Sequence, residues 1–548
     1  MSEAKICNIC RQEFVWEEED LQYFTKFGIA PYESCPECLH RQRLSFRNER
    51  VFYRRKCDGT GKDILALYHS DLPYRVYCAE YFWSDKWDAF SYGRDFDFGR
   101  TFFEQFAELK LAVPKLAIHN VKGENSDFCN TCVGNKNSYL IFGGDYNEDC
   151  MFGVLCDKNR HCMDIDYCYE GQYLYFCSDV IGGYECQFLF NSNNCSNCYF
   201  CEDLIGCNEC ILSFGLKNQS YCVANKRYSK EEYLQMKEQL LNGKYSSLSE
   251  NFMRFLKMRG ARDVKYAHMV NCEECSGDYI KDSKNCTLCF DVNNSQDCRD
   301  VIYASKVKDA FMCDSLGLNT ERIFNTLSTM DVHNARFCNW IVDCYDAYYA
   351  DFCLGSNNIF GCTGLRHGQF CVLNKKYSRE EYRDLVLKIV EHMKKTGEWG
   401  NFMPASMSCF AYNETTAGIY FPLEKEEALR RGFKWRDEEK VEGKAQTCEV
   451  PDSIADVDEH ICEELLKCGW CGKNFKILAR ELVWYKKQHV AVPRNCVDCR
   501  MKRRRELRNP RRLWDRECLR CGRALKSTYA VERSERVYCD QCYLAKVY

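Results

Sequence analysis

The sequence predicts a mainly β protein, a duplicated β-solenoid of about 12-residue half-coils with capping helices, flanked by small zinc-ribbon domains. Three observations predict it. CxxC pairs gather at both ends of the chain, the middle divides into twelve-residue units, and the two halves of that middle repeat each other. At 548 residues the chain exceeds one core, and three or four domains are expected at about 150 residues each. A hydrophobic share of 46% excludes a disordered tail. There is no run of 18 apolar residues and no basic-then-apolar start, so a cytoplasmic location is expected. Disulfides are rare there, and 42 Cys must be metal ligands or buried thiols.

In order along the chain, residues 1–40 form the first ribbon, with Cys7-x2-Cys10 followed by Cys35-x2-Cys38. Residues 466–512 repeat it with Cys468, Cys471, Cys496 and Cys499, each 461 positions after its counterpart. Residues 513–548 carry a third set, Cys518, Cys521, Cys539 and Cys542. A CxxC turn aims two thiolates at one ion, and a second turn completes a tetrahedron with no open position, so these ions hold structure and do not activate water. Three Zn2+ sites are expected. The stretches 7–38 and 468–499 resemble the small bacterial "probable zinc-ribbon" modules, and the middle is similar to bacterial cysteine-rich proteins carrying such ribbons at both ends. The resemblance implies the zinc fold and no particular activity.

Basic segments follow both matched ribbons. Arg41, Arg43, Arg47 and Arg50 open the segment 41–125, which continues as an aromatic-rich α/β stretch; Arg500, Lys502, Arg503, Arg504, Arg505, Arg508, Arg511 and Arg512 follow Cys499. Residues 466–548 hold 22 Lys and Arg against 8 Asp and Glu, whereas the rest of the chain carries 54 against 72. Such an excess, presented on zinc-held turns, suits the bidentate guanidinium grip on phosphates of a nucleic acid or ribonucleoprotein. The alternative is that the acidic body itself engages the same arginines.

The middle divides into 126–263 and 264–405, two solenoid halves. Cysteine recurs at 150, 162, 186, 198, 210 and 222, and 215–233 aligns with 364–382 without a gap. A fixed short period stacks identical positions about 4.8 Å apart, where a small thiol fits. Cys177 and Cys201, then Cys289, Cys313, Cys338 and Cys362, recur every two units, which favours about 24 residues per coil. These thiols read as buried small hydrophobes, with disulfides or an iron–sulfur site as alternatives. Cys129, Cys132, Cys272 and Cys275 could meet as a fourth zinc site if the halves pack about a pseudo-twofold. Ser229 with Glu232 and Ser378 with Glu381 are capping boxes that start helices closing each half, and Thr101 with Glu104 starts another. Residues 406–465 read as a tail and an acidic linker.

None of the usual nucleophile, phosphate-loop or HExxH signatures occurs, and the 10 His are scattered. Asp164 and Asp166 would share a strand face, as a carboxylate-dependent enzyme in a β-helix would need. The favoured expectation is a non-enzymatic zinc-binding scaffold contacting nucleic acid; the alternatives are a protein–protein assembly scaffold and an enzyme using thiols or carboxylates. A protein partner is possible, and no membrane partner is expected.

Overall fold

The computed structural model describes residues 4–437 and 443–547. Two parallel ladders fill the middle. In the first, Met151 pairs with Met163, Ile165 with Cys177, and Cys210 with Cys222. In the second, Cys286 pairs with Cys298, Ala335 with Ala347, and Ile359 with Cys371. The step is twelve, except for eleven at Met269 with Ile280 and thirteen at Val307 with Thr320. The 24-residue coil is therefore corrected to a twelve-residue repeat.

The backbone gives the reason. Through both ladders every third residue turns left-handed; Asp149, Phe152, Leu155 and Lys158 have φ of 54, 62, 50 and 56°. Four such bends return the chain to its starting position, so twelve residues suffice. Each bend at a non-glycine residue costs about 1–2 kcal/mol, offset by packing and ladder hydrogen bonds, and Asn and Asp tolerate it best. Among the described residues no Val or Ile occupies a bend.

The residue after each bend points inward. Cys150, Cys156, Asn159 and Cys162 are wholly buried, and all fourteen cysteines between 126 and 225 stand at multiples of three from one another. The inward thiols donate to carbonyls along the stack. Cys201 lies 3.2 Å from the carbonyl of Tyr199 and 3.5 Å from that of Cys210; the Ser138 hydroxyl makes the equivalent contacts at 3.0 and 3.3 Å. Burial pushes the Cys177 and Cys313 thiols up to about 12, which suppresses thiolate chemistry. None of the cysteines is joined in a disulfide, so the disulfide alternative is not what the fold contains.

Each ladder ends in a short antiparallel return, Cys222 with Arg227 and Cys371 with Lys376. The expected capping boxes follow, opening the helices Lys230–Leu240 and Arg379–Thr396. Tyr233 packs on Tyr221 of the last rung, and Ile389 and Met393 are fully buried. Part of the acidic linker, residues 438–442, lies outside the described residues. Beyond it the chain is not a spacer: Ile454, Val457 and Ile461 are buried in one cluster with Leu482 and Tyr485 of the second ribbon.

The duplication also governs packing. The helix Phe102–Ala112 precedes the first ladder yet packs on the second, with Phe102 at 5.4 Å from Phe360 and Lys110 at 3.0 Å from Asp351. Its counterpart 149 residues on, Tyr245–Gly260, packs on the first ladder, with Phe252 at 5.4 Å from Phe188 and Arg259 at 2.6 Å from Glu202. Arg259 and Glu202 are themselves the 149-residue equivalents of Lys110 and Asp351.

Candidate metal centres and their arginine clamps

The three expected quartets assemble. Within each, the four sulfurs lie within 4.8 Å of one another, a group able to hold a metal ion. The Cys10–Cys35, Cys471–Cys496 and Cys521–Cys539 sulfurs stand 3.8, 3.7 and 3.9 Å apart. A tetrahedron with metal–sulfur bonds of about 2.3 Å has edges of about 3.8 Å, so the spacing fits. Local sequence builds each turn. The residue after the second cysteine is left-handed, Arg11, Gly472 and Gly522, and its N–H bonds the carbonyl of the first at 2.9–3.0 Å. Burial would raise the Cys468 and Cys518 thiols, but the N–H groups around them prevail and bring both down to about 6, which favours the thiolate a metal requires.

Sequence reading missed a fourth module of this kind. The 461-residue repeat runs on past Cys38, placing Cys57 against Cys518 and Cys78 against Cys539, with Thr60 and Tyr81 where the later copy has Cys521 and Cys542. The structure preserves the turn: Gly61 is left-handed, and its N–H reaches the Cys57 carbonyl at 2.8 Å. The Tyr81 ring fills the space beside Gly59, where a Cβ would stand 2.5 Å from it. Two ligands are replaced and a ring packs in their place. The signal was present in the sequence as the conserved offset.

The proposed fourth site is corrected. Cys129 and Cys132 are buried in the first rungs of the first ladder, while Cys272 and Cys275 open the second and pack against a different core. Their thiols donate to carbonyls of their own ladders, Cys132 to Ile141 and Cys272 to Ile280, both at 3.3 Å.

The basic segments do not form an outward surface. Arg504 is wholly buried, with Nη1 2.7 Å from Asp164 and Nε 3.0 Å from Asp166. Arg500 reaches Tyr485 at 2.7 Å and Glu481 at 3.3 Å. Arg508 joins the ladders by bonding Asp179 of the first and Asp291 of the second, and Arg511 also takes Asp291, at 2.9 Å. In the N-terminal copy Arg43 bonds Asp314 at 2.8 Å, Arg47 bonds Glu49 and Ser328, Arg41 bonds Glu37, and Arg50 touches the Met501 sulfur. Arg503 lies over the Phe252 and Trp470 rings, and Arg505 is half-buried. Of the twelve cations only Lys502 and Arg512 are exposed, Lys502 near Glu506 and Arg512 over Trp514.

These contacts are again made twice. Arg43 and Arg504 are 461 apart, and their partners Asp314 and Asp166 are equivalent positions of the two ladders. Burial alone would raise the Asp314 carboxyl; His40 and Arg43 overcome it and hold it at about 2. Asp164 and Asp166, expected to share a strand face, are taken up by Arg504 and closed to a substrate.

No protein-family model and no curated protein matches the chain. Among solved structures, a Bacillus cereus protein described as a "putative acetyltransferase" is similar at 10% identity, covering 24% of this chain and 88% of that one, with a TM-score of 0.09. A Desulfovibrio desulfuricans protein of the same description covers 49% of this chain and 69% of that one, at 10% identity and a TM-score of 0.10. Overlaps at these scores carry no argument about fold or activity. Among the described residues no helix is long and apolar enough to cross a membrane.

Proposed function

We propose that the chain is a non-enzymatic, zinc-stabilised scaffold, two β-solenoid columns each fastened by a zinc-held arginine helix. It works as a protein–protein assembly platform in a reducing, cytoplasmic setting. The observation that carries this reading is Arg504, fully buried between two aspartates, because a guanidinium so neutralised has no free donor for a phosphate. The zinc assignment rests on four-thiolate sets with tetrahedral edges, the soft donor set that zinc prefers.

A second reading, contact with nucleic acid, retains support from the cations still exposed on the C-terminal ribbons, among them Lys502, Arg512, Arg520 and Arg523. A filter-binding titration separates the two. The scaffold reading expects no retention of RNA or DNA at about 50 mM salt, and retention that falls steeply as salt rises would replace it with the second.

A further inference from the structure

A cavity of about 90 Å³ lies where the N-terminal arm, the Phe102–Ala112 helix and both ladders meet. Arg47, Lys110, Lys115, His119, Thr363 and Trp340 line it. At about 10–15 Å³ per water, it has room for several waters or one small polyatomic ion.

Its charges do not balance. Lys110 is taken by Asp351 at 3.0 Å and Arg47 by Glu49 at 2.5 Å. Lys115 is 7% exposed, and among the described residues no hydrogen bond or ion pair engages its ammonium. The Thr363 hydroxyl, 1% exposed, and the His119 Nδ1 also lack partners. Burying an unpaired ammonium is costly unless it loses its proton or gains a counter-ion.

The molecule's own duplication supplies the comparison. Lys115 pairs with Val76 in the strand register in which Val264 pairs with Val537, so the other copy has a buried valine where this one has a lysine. The His119 backbone N–H donates to the Asn130 side chain as that of His268 does to Asp278. Ser328 and Phe352 stand at the positions of Asp179 and Asp203. Three carboxylates of one copy are thus absent from the other, and a lysine is added where the one acid lining the cavity, Asp351, is already paired with Lys110.

We propose that this cavity binds a small oxyanion, of phosphate or carboxylate size, seated against the Lys115 ammonium and the Thr363 hydroxyl. Cation, neutral donors and space converge there. Trp340 and Phe352 supply an apolar wall that excludes bulk water and strengthens the charge-assisted contact.

Calorimetric titration of the full metal-loaded chain, first with inorganic phosphate and then with acetate, tests this. One saturable event per chain is expected by about 10 mM, the range of a millimolar site, and whichever probe binds more tightly identifies the class. Lys115→Val, which reproduces the packing of Val264, should weaken binding at least about tenfold, the loss of one charge-assisted bond. Thr363→Val, which keeps the lysine, should weaken it less and guards against a misfolded lysine variant. Saturation by neither probe, or unchanged binding in Lys115→Val, would overturn the proposal.

Discussion

Arg504 and Lys502 lie two residues apart on one helix and have opposite physical roles. Lys502 extends into solvent beside Glu506, where an ion pair contributes little. Arg504 reaches both Asp164 and Asp166, and its removal would strand the buried Asp166 and leave Asp164 with only Arg500, 3.4 Å away. Arg504→Ala should therefore cost about 3–5 kcal/mol, read as a large drop in the urea midpoint, while Lys502→Ala stays within about 0.5 kcal/mol. Equal midpoints would show that the clamp does not hold the module. The N-terminal clamp adds a pH signature. Asp314 is held at about 2, below the usual carboxylate value of about 3.9, so its contribution is complete above about pH 4 and is lost as pH falls from there toward 2. Between those pH values the wild-type midpoint should fall further than that of Asp314→Asn.

At the scale of the element, the question is what a ribbon turn needs. The turn at Cys57 has the backbone of its three relatives without two of their ligands, so its fold survives on packing around Tyr81. Thr60→Cys combined with Tyr81→Cys restores the donor set on an intact turn, and metal analysis should rise from three ions per chain to four; three would mean that the ring has reshaped the site. Much of the element level was legible in the sequence. CxxC spacing specifies its own geometry, because four thiolates in tight turns have few other arrangements, and the capping boxes fix their helices locally. The three-residue beat was also present in the cysteine positions but is broken in the second ladder by one-residue shifts. One falls at Gly277, where a Cβ would collide with the Cys289 carbonyl at 1.7 Å. The longer recurrence of Cys177 and Cys201 therefore suggested a coil twice too large. That the acidic body would engage the arginines was legible as an alternative, but the particular clamps were not, because charge composition reveals an excess of arginine without revealing which aspartate, hundreds of residues away, will face it.

At the scale of the whole molecule, the first and second ribbon modules and the helix Phe102–Ala112 dock on the ladder of the other half, whereas the helix Tyr245–Gly260 packs on the ladder of its own half and the third ribbon bonds its own through Thr528 and Asp278. The N-terminal module lies on the second ladder through Arg43 with Asp314 and through Phe24 and Phe27 against Phe324; the C-terminal module lies on the first through Arg504 and through Trp484, at 5.4 Å from Tyr175. Cutting the chain between residues 263 and 264 would give each half a module without its ladder and a ladder without its module. The buried guanidinium and carboxylate groups would then lose their partners while aromatic faces were exposed to water. Expressed alone, residues 1–263 and 264–548 should aggregate or remain largely unfolded. Expressed together, they should elute as a one-to-one complex, because every crosswise contact can re-form between the two chains. Two separate halves, each a soluble monomer with its own cooperative transition, would mean that the crossed contacts contribute little and that each ladder with its capping helix is a complete domain.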